Sequence, residues 1–174
     1  MLILLPPSES KANRRRGRPA DPSTWSFPEL APTRARVAAA LAEVSRSPDA
    51  PALLGVSPGL LDEVARNLVL DTAPATPAAE VYTGVLYDAL GLPTLDTAAR
   101  RRANRWLVVV SALHGAVRPG DRITAYRIPP EIGTLGLMNY AEIFERYSFV
   151  SWSRSPTMST SYRSTSTVRS STTG

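Results

Sequence analysis

Two stretches of this sequence concentrate side chains able to do chemistry, and each follows an apolar run. Pro6-Pro7-Ser8-Glu9-Ser10-Lys11 follows Leu2-Ile3-Leu4-Leu5, and the segment Ser111 to Asp121 follows Trp106-Leu107-Val108-Val109-Val110. If both runs are strands of one parallel sheet, the loops leaving their carboxyl ends converge where ligands collect in such sheets. Ser8, Lys11, Ser111, Arg118 and Asp121 then share an edge, and Lys11 with Arg118 suits it to phosphate or carboxylate. A pair of solvated loops around tight turns fits the same spacing.

Other candidates are read in the same two ways. Arg14-Arg15-Arg16 with Arg18 is the densest charge cluster, either an arm that tracks phosphates or a soluble loop. Arg100, Arg101 and Arg102 cannot share one helix face, since consecutive residues step by about 100°, whereas Arg101 and Arg105 can. Leu54 to Leu60 invites comparison with a helix–hairpin–helix, whose hairpin amides hold a DNA phosphate. Its Gly55 and Gly59 are four apart and lack the usual tight Gly-x-Gly, so a plain helix connection also fits. His114 has no nearby carboxylate in sequence and reads as a core or turn histidine rather than a base. Asp62-Glu63 reads as a solvent-facing pair, which leaves no acid/base dyad and no assigned catalytic residue.

Composition narrows the chemistry. A chain of 174 residues fits one domain, or one domain plus a tail. The absence of cysteine removes disulfides, thiolate nucleophiles and cysteine metal sites, and a single histidine removes multi-histidine metal centres. No metal and no cofactor is therefore expected. Twenty basic against fifteen acidic residues give +5, and every base but Lys11 is arginine. Arg154, Arg163 and Arg169 fall in residues 151–174 with no acid, so the body is less basic than the total suggests. The opening apolar run is far shorter than the ~20 residues of a spanning helix, so no membrane association is expected, and the cytoplasm is the default compartment.

The positioning elements follow from pattern and punctuation. Leu2 to Leu5 reads as a buried strand stopped by Pro6-Pro7. A helix begins at Pro32 with Val37, Leu41 and Val44 inward, and a second at Ser57-Pro58 with Leu60, Leu61, Val64 and Leu68 inward. Glu80 to Leu90 reads as one helix with Val81, Val85, Leu86 and Leu90 inward, terminated by Gly91. Thr97 is expected to cap a short basic helix. Trp106 to Val110 is apolar on both faces, as in a sheet covered by helices on each side, and Ile123 to Ile128 reads as a further strand. The fold class expected is mixed α/β or α+β. Residues 151–174 contain nine Ser and six Thr without periodicity and cannot form a core.

Several blocks together resemble the peroxide stress protein YaaA family. They are Met-Leu-Ile-Leu-Leu-Pro-Pro-Ser-Glu-Ser-Lys11, Ser26-Phe27-Pro28-Glu29-Leu30, Val81-Tyr82-Thr83-Gly84-Val85, and Ser111 to Asp121 followed by Ala125-Tyr126-Arg127. The resemblance covers residues 1 to about 135. It implies a cytoplasmic mixed α/β protein with a positively charged cleft that binds DNA through its phosphates, with weak sequence specificity. It also implies a role in limiting free iron and oxidative DNA damage, with Leu54 to Leu60 matching the helix–hairpin–helix-like element. The family's blocks fall on Ser8, Lys11, Tyr82, Thr83, Gly84, Ser111, Gly115, Arg118, Pro119, Asp121, Tyr126 and Arg127.

Members continue well beyond this point, whereas this chain passes into Asn139-Tyr140-Ala141 and a Ser/Thr/Arg-rich segment. The expected division is an incomplete family domain over 1–138 and an aberrant, disordered tail over 139–174. A reading frame lost near residues 128–140 explains this, and the gene's other frames would then continue the family. Missing strands would leave a sheet edge uncovered and lower stability. Three functions are thus open. The first is a DNA-binding stress protein using the phosphate contacts above, with any effect on iron indirect. The second is an enzyme holding a phosphorylated or carboxylated small molecule through Lys11, Arg118 and Arg127, with Ser8 or Tyr126 at the reacting atom. The third is a product without function.

Overall fold

The computed structural model describes residues 1–128, so the expected boundary at 138 and the segment 139–174 lie outside the described residues. In chain order the elements are β1 (Ile3–Leu5), α1 (Ala31–Arg46), α2 (Ala50–Leu53), α3 (Leu61–Ala65), β2 (Thr76–Pro77), α4 (Ala78–Val81), α5 (Val85–Leu90), α6 (Thr97–Trp106), β3 (Leu107–Ser111), β4 (Gly115–Val117) and β5 (Arg122–Ile123), with short 3-10 turns between them. The class is mixed α/β, as the alternation of apolar runs and helical stripes requires.

β3 is the centre of a three-stranded sheet ordered β1-β3-β4. β1 lies parallel to it, Leu5 opposite Val109, and β4 turns back antiparallel, Val117 opposite Val109. On one face Leu107, Val109 and Val117 pack with Leu5, Val81 and Tyr87. On the other, Val108 and Ala116 meet Leu30 and Phe27. This two-sided cover is why β3 carries an unbroken apolar run. A separate cluster joins Val37 and Leu41 of α1 to Leu54, Val64, Leu113 and Tyr126.

One buried cation fastens α1 to the sheet. Arg34, 5% exposed, donates from Nε to the His114 carbonyl at 2.8 Å. Its Nη2 donates to the carbonyls of Ala116 at 2.7 Å and Ser26 at 2.8 Å. The planar fork suits three carbonyls converging from two segments, where a lysine would supply a single point of donation.

Several sequence expectations are corrected. Glu80 to Leu90 is two helices, because Gly84 takes φ +99° between α4 and α5. The break turns Val85 outward to 90% exposure and leaves Leu86 exposed. Asp96, not Thr97, caps α6, its carboxylate accepting from the Ala99 amide at 2.7 Å. Ser57 makes no side-chain cap, and Leu61 and Leu68 are exposed rather than inward. Of the expected Ile123 to Ile128 strand only Ile123 pairs, as the second residue of β5. Most telling is β1, expected to be buried. Among the described residues it has a neighbour on one side only, and Leu2, Ile3 and Leu4 are exposed.

Two outcomes follow from this packing. Arg34→Met leaves three carbonyls without their donor and lowers unfolding free energy in urea by about 3 kcal/mol. Leu4→Lys places a charge on the open apolar edge. It reduces concentration-dependent association in light scattering while moving stability by no more than about 0.5 kcal/mol.

Candidate functional site

The parallel pairing of β1 and β3 places Pro6-Pro7-Ser8 beside Ser111, and the chain crossing from α4 to α5 closes the third side. Lys11 bridges antiparallel to Tyr82, the Ala12 amide donates to the Val81 carbonyl at 2.8 Å, and the Thr83 amide donates to Ser10 at 3.2 Å. The Ser8 hydroxyl donates to the Thr83 carbonyl and Tyr87 donates to that of Pro6. Gly84 is required here by its positive φ, which lets the chain turn immediately beside Ser8.

A file of hydroxyls lines the interior. Tyr126 and Ser111 share a hydrogen bond of 2.7 Å, and Tyr82 lies 3.4 Å from the Tyr126 hydroxyl. Ser111 Oγ also accepts from the His114 amide at 3.1 Å. Tyr82 and Tyr126 are 2% and 3% exposed, so these groups are withdrawn from bulk water. The Lys11 ammonium sits 4.2 Å from the centre of the Tyr126 ring and 5.9 Å from that of Tyr82. It donates to the carbonyls of Ser8 at 2.7 Å and Glu9 at 3.3 Å. Among the described residues no carboxylate forms an ion pair with it.

The electrostatics follow from that environment. Burial, then the Arg127 charge, lowers the Lys11 pKa from 10.5 to about 8, against the pull of Glu63 and Glu9. Burial, then the charges of Arg34 and Lys11, lowers His114 to about 3, so its ring is neutral at physiological pH. That ring packs edge-on to Trp25 and Tyr126, the reading of a core histidine. Arg127, 7% exposed, pairs with Glu9 and with Glu63, the latter at 3.4 Å.

Ser8, Lys11, Tyr82, Thr83, Gly84, Ser111, Tyr126 and Arg127 are thus brought together. Arg118, Pro119 and Asp121 are not, and the shared edge expected for Lys11 and Arg118 is corrected. The β3–β4 reversal carries residues 118–121 back to the end where α6 enters β3. There the Arg118 guanidinium donates to the carbonyls of Asn104 and Arg105, each at 2.8 Å. Asp121 accepts from the Arg118 amide at 2.8 Å and from Ser26, and the Pro119 carbonyl accepts from Ala79. These three stitch a turn. Gly115 is the hairpin glycine, with φ +70° and Leu30 where a Cβ would lie 2.8 Å away.

Gly55 ends α2 in the left-handed region at φ +59°, while Gly59 faces open space, so only the first is demanded by the backbone. Leu54 and Val56 between the helices are buried in the α1 cluster. Arg14, Arg15 and Arg16 are exposed, and Arg14 pairs with Glu80 at 2.8 Å. Glu80 in turn lines a cleft of about 510 Å³ with Arg100, Arg101, Asn104 and Gly120. α6 therefore borders this depression, and the arginine loop reaches it through the Arg14–Glu80 pair alone.

Sequence reading passed over three contributors. Glu63, expected to face solvent, is half-buried against Arg127 and Arg66. Glu9 stood in a motif but without a role. Asn67, 1% exposed, clasps the backbone of Arg127: its Oδ1 accepts from the amide at 2.8 Å and its Nδ2 donates to the carbonyl at 2.9 Å. Its place between Arg66 and Leu68 in an apolar stripe was the one available signal.

A family model described as "Peroxide stress protein YaaA" matches residues 1–140. A UPF0246 protein of Streptomyces coelicolor is 50% identical over 143 residues, covering 78% of this chain and 55% of that protein. A UPF0246 protein of Corynebacterium efficiens is 47% identical over 128 residues, covering 74% and 50%. One from Cereibacter sphaeroides is 34% identical over 143 residues, covering 77% and 52%. The chain spans about half the length of the curated relatives it matches.

The lowered Lys11 pKa has a thermodynamic signature. Between about pH 8 and 10.5 the unfolded chain binds a proton that the folded chain has released, so stability rises with pH across that window. Thermal melts of the wild type and Lys11→Met should diverge there, the wild type gaining relative to the variant. Parallel curves would mean an ordinary, solvated amine.

Proposed function

This chain belongs to the peroxide stress protein YaaA family, and we propose that within that response it binds the phosphate backbone of DNA in the cytoplasm and so helps limit oxidative DNA damage. The observation that carries the reading is the cleft lined by Arg100 and Arg101 of α6, whose Glu80 pairs with Arg14 of the exposed arginine loop. Exposed guanidiniums of α6 in the depression, with those of the arginine loop joined to it through Glu80, suit a run of phosphates, each neutralised charge releasing condensed counterion. Such contacts carry little sequence information, so binding is weakly specific. The share in restraining free iron is proposed on family grounds and is indirect, since one histidine and no cysteine offer little to a transition metal.

A second reading, an enzyme for a phosphorylated or carboxylated small molecule, is favoured by one observation: a partly buried amine set among hydroxyls, with no carboxylate paired to it among the described residues. Arg118 has no place in that site, which leaves Lys11 and Arg127 as its cations.

For the first reading, the test is the slope of log affinity against log salt for a short duplex. Replacing Arg14, Arg15 and Arg16 by Gln flattens it by about 0.9 for each phosphate contact removed. An unchanged slope excludes the arm from the interface.

A further inference from the structure

The environment of Lys11 eases the loss of its proton and, among the described residues, gives it no ion pair. It is the only lysine of the chain, it is largely enclosed, and its nearest acceptors are two main-chain carbonyls. Two tyrosines wall it in, and their hydroxyls join that of Ser111 in one hydrogen-bonded file. A lysine kept for structure at such a depth ordinarily meets a carboxylate, and the two available, Glu9 and Glu63, are instead committed to Arg127. Ser8 is half-buried and Glu9 exposed, so the amine is reachable from that side.

We propose that Lys11 is a nucleophile that condenses with the aldehyde or ketone of a small molecule carrying a carboxylate, which Arg127 receives in place of Glu9. The amine nitrogen bonds to the carbonyl carbon, and the carbonyl oxygen departs as water with the two amine protons, leaving an imine. The linked hydroxyls of Tyr126, Ser111 and Tyr82 are the local route for those protons. No oxidant or metal enters the step. Glu9 marks the anion's place because its own carboxylate already sits on the guanidinium, yet its side chain is 55% exposed and can yield. With a pKa near 8, about a tenth of the amine is neutral at pH 7, which gives the step its reactant.

The inference rests on the second reading above and names its substrate class. Full-length protein is incubated with glyoxylate, quenched with sodium borohydride and peptide-mapped by mass spectrometry. The amino group of Met1, 82% exposed, is an internal standard. Lys11 should carry the carboxymethyl adduct in preference to Met1 by about tenfold, the scale of one charge-assisted contact. That preference should fall with propionaldehyde, which has no carboxylate, and with acetate as competitor. Tyr126→Phe should slow the Lys11 adduct while leaving that on Met1 close to wild type, at a melting temperature lowered by several degrees through the hydrogen bond lost to Ser111. Labelling of Lys11 no greater than that of Met1 overturns the proposal. Strong labelling of Lys11 with equal preference for both aldehydes retains the nucleophile but refutes the carboxylate seat. Melting temperatures raised by acetate or inorganic phosphate without any Lys11 adduct refute the imine and leave the anion-site reading standing.

Discussion

The parallel pairing of β1 with β3 is the constraint from which the rest of this structure follows. Its two strands stand far apart in sequence, so their register joins Leu5 to Val109 only after most of the described chain has been threaded between them. Loop closure over that length adds entropy only logarithmically, and the pairing is then held by burial of Leu107, Val108 and Val109 on both faces. Once it forms, the loop after Leu5 and the turn after Val110 are adjacent by construction. The hydroxyl cluster and Lys11 are a consequence of register, and a slip by one residue would reverse which of Val108 and Val109 faces α1. β1 supplies this alignment while its outer edge stays open among the described residues, with Leu2, Ile3 and Leu4 exposed.

How far the sequence could be read divides by the range of the interactions involved. Unbroken apolar runs told of β1 and β3, and the periodic Val37, Leu41 and Val44 told of α1, because each is a local statement about faces. Convergence of Ser8, Lys11 and Ser111 followed from those strands alone. Two of the failures share one cause. Ser111 to Asp121 looked like a single polar turn, but Gly115 at φ +70° makes a hairpin of it, and three β4 residues suffice to send Arg118 to the far end. Gly84 did the same within an apparently continuous helix. A glycine's sign of φ is decided by what presses on it, here Leu30 and Ser8, and neither neighbour is visible in local pattern. Pairings such as Asn67 with the Arg127 backbone, or Glu63 with its guanidinium, join distant positions and leave no periodic trace.

The chain's positive charge is split into groups that physics assigns to different work. Arg14, Arg15, Arg16, Arg100 and Arg101 are exposed, so their charge costs little to maintain and reaches outward over roughly a Debye length, about 8–10 Å at physiological salt. Such groups attract a polyanion without holding any one atom in place. Arg34 and Arg118 spend their donors on main-chain carbonyls and act as internal fasteners, as a delocalised and weakly hydrated guanidinium does well. Lys11 belongs to neither group. An ammonium is strongly hydrated, and enclosing it beside Arg127 destabilises the charged form, which neither a fastener nor a phosphate contact needs. The two functional readings therefore do not compete for the same side chains. The arginines named for a duplex and the lysine named for a small carbonyl compound are distinct groups in distinct surroundings, the first exposed and the second enclosed, so each reading stands on its own charge environment.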